Sequence, residues 1–112
     1  MLANAALFAF GAMEHAGVQV GPFSEPRIMP AVIVETICAL ALVWGATGSW
    51  RAAMTGNLVA AAGVTLGMAA LAAGGGPRTA SNDLSHAIML ALVALSLILL
   101  FTRPVRVALH RT

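Results

Sequence analysis

Charge is scarce in this sequence. Charged residues make up 9% of its 112 positions, and every basic one is an arginine. Soluble domains carry about 25% charged residues, with which they cover the surface that faces water. A chain that is 60% hydrophobic, with a mean hydropathy of +0.91, cannot cover a surface in this way. The composition therefore predicts a membrane protein.

Other absences narrow the class further. The six arginines are scattered and tyrosine is missing, so no basic or aromatic face for nucleic acid is expected. A single cysteine, Cys38, excludes an internal disulfide framework. The chain has no Ser-His-Asp order, paired CxxC motif, P-loop or dinucleotide fingerprint. We therefore do not expect it to be an enzyme by itself.

Four apolar runs, separated by glycine, proline and polar residues, predict four helices over about 2–17, 30–50, 52–73 and 84–101. A membrane span needs about 17–25 apolar residues, and the first run is short. It lacks the basic start of a secretory signal, so we interpret it as a retained span. The expected fold is all-α, an integral membrane four-helix bundle of up-down-up-down topology. It forms one domain, residues 1–112, with a basic interfacial tail at 102–112.

Helix 3 carries three glycines at helical spacing, Gly56, Gly63 and Gly67. Small residues at such positions let membrane helices approach closely. The glycines could form the seam of a homodimer, or they could pack helix 3 within the bundle. We favour packing within the bundle, because four helices need internal seams in any case.

The few charges predict an orientation. Alternating spans place Trp50, Arg51, Arg103 and Arg106, with Arg111, at the end of the bundle that holds both termini, and they place all four acids toward the other end. By the positive-inside rule the termini face the cytoplasm, and Trp50 and the arginines anchor the membrane interface. The expected location is a bacterial inner (plasma) membrane, with several spans.

The same topology predicts a polar cluster at the outer end of the bundle. The end of helix 1 and the starts of helices 2 and 4 meet there, and we expect them to bring together Glu14, His15, Glu35, Asp83 and His86. Cys38 lies one helical turn deeper than Glu35 on the same face. Ionisable residues inside a span are costly and usually face the bundle interior or a water-filled cavity.

Three hypotheses describe this cluster. Its mixed oxygen and nitrogen donors suit iron, zinc or manganese, and a copper(I) variant would use Cys38 together with Met13, Met29, Met68 and Met89. A carboxylate beside a histidine could instead exchange protons. In the third hypothesis the cluster is structural, with hydrogen bonds that hold the outer loops and with Asp83 capping helix 4 or complementing its dipole. No cofactor follows from the sequence alone.

Two functions remain from different classes. The first is an accessory or assembly subunit of a larger membrane complex, whose Glu/His cluster orders the outer loops or binds a metal ion. The second is a proton-coupled small transporter acting as a homodimer. In size, helix count and a glutamate in helix 1 the chain superficially resembles the small multidrug resistance transporters. It departs from them in lacking tyrosine and in placing Glu14 at the end of helix 1. Expected partners are the lipid bilayer and a homo-oligomer or larger complex, without nucleic acid.

Overall fold

The structure, a computed structural model, describes residues 1–22 and 25–110. Within this part the chain is all-α, as predicted, and β-strands are absent from the described ranges. The helices found there are α1 Leu2–His15, α2 Met29–Thr47, α3 Trp50–Ala72, α4 Ala80–Leu100 and α5 Arg103–His110. Arg111 and Thr112, which belong to the predicted tail, lie outside the described residues.

Helix starts account for the main differences from the predicted boundaries. The Ser49 hydroxyl accepts the Ala52 amide, so α3 begins at Trp50. The Thr79 hydroxyl accepts the Asn82 amide at 3.0 Å, so the polar residues after Thr79 already form the first turn of α4. The N-cap of α4 is thus Thr79 and not Asp83, which lies in the first turn, where a negative charge complements the helix dipole. The predicted tail contains a helix, α5.

Consecutive helices pack against one another, and α4 also contacts α1. The α2–α3 connection is a two-residue turn, Gly48-Ser49, which forces these helices to run antiparallel. Side chains also cross between α1 and α4, where the Asn4 amide donates to the Met89 carbonyl at 3.1 Å. Helix α1 is thereby held on two sides, by α2 and by α4.

Small residues make the α2–α3 seam narrow. A Cβ built at Gly56 would lie 2.5 Å from the Ala41 carbonyl oxygen, and one at Gly63 would overlap the Cys38 sulfur. Beside this seam lies the apolar core, formed by Ala5, Phe8, Cys38, Ala39, Leu42, Ala60, Val64, Met89 and Val93. The glycines of α3 thus face α2 and α4 of the same chain rather than an open surface.

Three helices, α2, α3 and α4, are long and apolar enough to cross a membrane. Only 17%, 22% and 17% of their most apolar stretches are buried within the chain, so most of their apolar side chains face outward. Exposed large residues include Ile33, Leu40, Leu66, Leu84 and Ile98. Apolar exposure of this extent needs lipid or another protein to cover it.

The end of the molecule opposite the first loop is organised by Trp50. Its indole Nε1 donates to the Leu100 carbonyl at 2.9 Å. The ring also lies edge-on to Phe101, with centroids 5.8 Å apart, and stacks on His110 at 6.1 Å. These contacts connect the start of α3, the end of α4 and α5.

The narrow seam yields a stability prediction. In Gly56→Ala the new methyl group meets backbone at Ala41, which cannot move without separating α2 from α3. We expect the free energy of unfolding to fall by about 1–3 kcal/mol, measured by thermal unfolding in detergent. Gly76→Ala is the matched control, because its Cβ meets only side-chain ends, Ile28 Cδ1 at 3.2 Å and Leu71 Cδ2 at 3.7 Å. Equal melting temperatures for the two variants would contradict the close packing of α2 against α3 at Gly56.

Candidate functional site

The site is centred on His15, the last residue of α1, and Glu35 in the second turn of α2. Both are buried, with 4% and 9% of their surfaces exposed. The imidazole Nε2 lies 3.8 Å from Glu35 Oε1, and Gly11 leaves room for the carboxylate, since a Cβ there would lie 2.7 Å from Oε1. The second oxygen, Glu35 Oε2, is buried without a hydrogen-bond partner among the described residues.

The other ring nitrogen of His15 is tied to the first loop. Its Nδ1 lies 3.0 Å from the Pro26 carbonyl, and because a carbonyl only accepts, Nδ1 carries the proton. The Ile28 amide donates a hydrogen bond to the His15 carbonyl at 3.1 Å. A neutral His15 therefore presents Nε2 as an acceptor toward Glu35, and a charged His15 presents it as a donor.

His86, in the second turn of α4, repeats this arrangement. Its Nδ1 lies 2.7 Å from the Asn82 carbonyl, which fixes the proton on Nδ1 in the neutral ring. Its Nε2 faces α3 beside Gly67, where a Cβ would lie only 3.0 Å away. The two histidines thus use one nitrogen for a backbone carbonyl and leave the other toward the space between the helices.

That space is a cavity of about 310 Å³ between α1, α2, α3 and α4. Its lining is mostly apolar, with Phe8, Val34, Val64 and Leu71 among the contributors. The polar side chains that line it are His15, Glu35, Asn82 and His86. Exposed lining residues such as Pro30 and Leu66 show that the cavity reaches the surface. The structure thus brings together three of the predicted site residues around one space.

The remaining predicted site residues lie elsewhere. Asp83 is exposed and accepts from Arg78 Nε at 3.0 Å. Glu14 is buried, yet it does not line the cavity, and its Oε1 has no hydrogen-bond partner in the described residues. Cys38 faces α3, where its thiol donates to the Val59 carbonyl at 3.7 Å.

A metal centre is not supported. Among the described residues no group of three or more His, Cys, Asp or Glu side chains could hold a metal ion. The methionines of the copper(I) hypothesis do not converge either, since Met13, Met29 and Met68 are exposed whereas Met89 is buried. The hypothesis of metal binding therefore has no geometric basis in the part of the chain that is described.

The loops at this end are joined to one another. The Glu25 carboxylate accepts the Thr79 hydroxyl at 3.1 Å and 3.3 Å. Thr79 also caps α4, so this contact connects the first loop to the α3–α4 connection. The Arg27 guanidinium lies along Gly17, whose φ of +92° suits glycine. The cluster and the loops form one hydrogen-bonded cap.

Two buried asparagines were not among the predicted site residues. Asn4 and Asn57 are buried, with 1% and 0% exposed, and each has an unpaired side-chain oxygen within the described structure. Asn57 donates to the Ala53 carbonyl one turn earlier. The available signal was an asparagine inside an apolar helix, where a polar side chain should face inward. Asn82, which lines the cavity, carries no such signal, because it belongs to a polar stretch at a helix start.

Comparison with known protein families, with curated proteins and with solved structures gave no match. The site is therefore interpreted from its own geometry.

The paired burial of His15 and Glu35 predicts energetic coupling. In a double-mutant cycle of His15→Ala and Glu35→Ala, we expect a coupling energy of about 0.5–3 kcal/mol in the free energy of unfolding, because either single variant leaves the other group buried and unpaired. The cycle is measured by reversible denaturation in mixed micelles. The exposed pair Arg78 and Asp83 is the matched control, with a coupling below about 1 kcal/mol. Additive effects of His15→Ala and Glu35→Ala would refute the pairing.

Proposed function

We propose that this chain is an integral membrane protein whose helices α1 to α4 form a bundle, and that it serves as an accessory or assembly subunit of a larger membrane complex. In this role the His15–Glu35 pair orders the outer loops as a surface for the partner. The observation that carries the proposal is the set of contacts at one end of the bundle. Hydrogen bonds join the end of α1 to Pro26 and the first loop to Thr79, and the His15–Glu35 pair, 3.8 Å apart, joins α1 to α2.

Membrane residence is supported by the outward apolar faces of α2, α3 and α4. Helix α1 has only 14 residues and covers about 21 Å. It still follows most of the bundle, because Met1 contacts Gly45 and Gly56 near the α2–α3 turn, whereas Gly11 adjoins Glu35. These contacts support a bundle in which α1 runs beside α2 over most of its length.

The proposed orientation keeps the termini in the cytoplasm of a bacterial cell. Arg51, Arg103 and Arg106 are exposed around the end that Trp50 organises. Positive charge of this kind is retained on the cytoplasmic side. The amphipathic α5 would lie at the headgroup level, with its arginines toward lipid phosphates.

This orientation predicts a labelling pattern. Single cysteines introduced by Pro22→Cys and Pro77→Cys should react with a membrane-impermeant maleimide added to intact spheroplasts, because both prolines are exposed at the cap end. Thr47→Cys, exposed at the other end, should react only after the membrane is opened. The unmodified chain is the background control, since Cys38 is buried. Labelling of Thr47→Cys in intact spheroplasts would show that the orientation is the reverse of the one proposed.

The accessory role is favoured over catalysis by the chemistry available in the cap. Each histidine holds one ring nitrogen on a backbone carbonyl, and no serine, threonine or cysteine among the described residues lines the cavity. A cap of this kind holds Glu25 and Pro26 of the first loop against Thr79 and α1. A fixed loop surface reduces the ordering cost of binding a partner.

The buried His15–Glu35 pair also favours a second candidate, proton-coupled transport by a homodimer. Such a protein needs a polar path past Glu35. Phe8, Val64 and Met89 line the inner part of the cavity, and the buried residues Leu42 and Val93 follow one to two turns farther along α2 and α4. This apolar packing supports the subunit over the transporter. The glycines of α3 also pack against α2 and α4 of the same chain. They are therefore unavailable for a dimer seam.

The test is the size of the complex in native membranes. Under mild solubilisation and native electrophoresis, the wild-type chain should migrate in one band much larger than a dimer. We expect His15→Ala to weaken that band severalfold while the protein stays in the membrane, because the first loop loses its attachment at Pro26. Thr47→Ala is the control and should leave the band unchanged, since Thr47 is exposed at the end of the bundle opposite the cap. A monomer or dimer in wild type would refute the subunit role.

A further inference from the structure

The cavity carries an inference that does not depend on the accessory role. Its 310 Å³ volume falls at the lower end of the range for small-molecule pockets, about 300–1,000 Å³. Such pockets are mostly apolar, with a few converging polar groups that orient the ligand. The cavity has this composition, because the polar groups lie along α1, α2 and α4 and the apolar ones surround them.

The polar groups that converge there are mainly acceptors. Glu35 Oε2 is unpartnered within the described structure, and its residue is 9% exposed. His86 holds its Nδ1 proton on the Asn82 carbonyl, so its neutral ring offers Nε2 as an acceptor. His15 Nε2 already faces Glu35, and the Asn82 carboxamide offers donors as well as an acceptor. No lysine or arginine among the described residues lines the cavity. A ligand that satisfies these groups must therefore donate hydrogen bonds.

The ligand need not be a cation. His15 Nε2 lies 3.8 Å from Glu35 Oε1, so a basic side chain already lies beside the carboxylate. What Glu35 Oε2 lacks is a donor and not a positive charge. A neutral hydroxyl donor meets this need at a lower desolvation cost than an ammonium group.

We propose that this cavity binds a small phenol, whose hydroxyl group donates to the Glu35 carboxylate or to His86 Nε2 and whose ring and alkyl substituent fill the apolar part. A phenol is a stronger donor than an aliphatic alcohol and has a flat apolar body. The ring would lie among Phe8, Val34, Val64 and Leu71. No covalent or redox step is involved, only reversible binding.

The experiment compares propylphenol with propylanisole, its methyl ether, which has nearly the same shape but no hydroxyl donor. Equilibrium dialysis against nanodiscs that contain the protein, corrected with empty nanodiscs for partition into lipid, measures both affinities. Wild-type protein should bind the phenol at least about tenfold more tightly, the worth of one hydrogen bond to a charged acceptor. Equal affinities, or no saturable binding of either compound, would overturn the proposal.

Variants locate the site. Glu35→Met removes the acceptor oxygens and keeps an apolar side chain of similar length, so it should reduce the preference for the phenol severalfold. His86→Leu tests the second acceptor and remains informative if Glu35→Met does not fold. Leu71→Trp fills the cavity and should abolish binding of both compounds. Asp83→Asn, exposed and outside the cavity, is the matched control and should bind as wild type does.

A third probe separates hydroxyl from charge recognition. Phenylpropylamine has a similar apolar body with an ammonium group. If it binds more tightly than propylphenol and loses affinity in Glu35→Met, the cavity is a cation site and the phenol proposal is wrong. Weaker binding of the amine than of the phenol supports the hydroxyl donor. Thermal unfolding of each variant establishes that a loss of binding is not a loss of fold.

Discussion

The carboxylate of Glu35 imposes the constraint on which this end of the molecule depends. A buried charge without a partner costs several kcal/mol, and Glu35 lies in an apolar helix with little access to water. His15, in the last turn of α1, supplies the partner for this carboxylate. Because the same imidazole is held by the Pro26 carbonyl, the position of one carboxylate fixes the end of α1 and the path of the first loop. The loop then reaches α4 through Glu25 and Thr79.

The narrow α2–α3 seam is the second constraint, and it acts on the same site. Gly63 admits the Cys38 side chain, and Gly67 leaves space for His86. Larger residues there would move α2 or α4 away from α3. Small residues on α3 therefore let α2 pack closely at Gly63, and they leave room beside the cavity at Gly67. Packing and site geometry have a common origin in the placement of these glycines.

The sequence was sufficient for the all-α fold because long apolar runs between glycines and prolines have few alternatives. Helix starts after Ser49 and Thr79 differ by a few residues from the predicted ones, because local capping decides them. The juxtaposition of His15 with Glu35 was foreseeable from alternating helices that bring their ends together. The direction of each side chain was not, because it depends on tertiary contacts. Asp83 therefore turns outward to Arg78, and Glu14 lies away from the cavity.

Buried side-chain oxygens without a hydrogen-bond partner in the described structure indicate where a ligand could bind. Asn4 and Asn57 also have unpaired oxygens in the described structure, but their amide groups donate to backbone carbonyls nearby and neither residue lines the cavity. Glu35 Oε2 differs because its residue faces a space large enough for a molecule. A water molecule in this space would leave the apolar walls poorly covered, whereas the proposed phenol would cover them and also donate to the carboxylate. The pairing of an unsatisfied acceptor with an apolar space is thus what distinguishes a ligand site from a hydrated defect in the core.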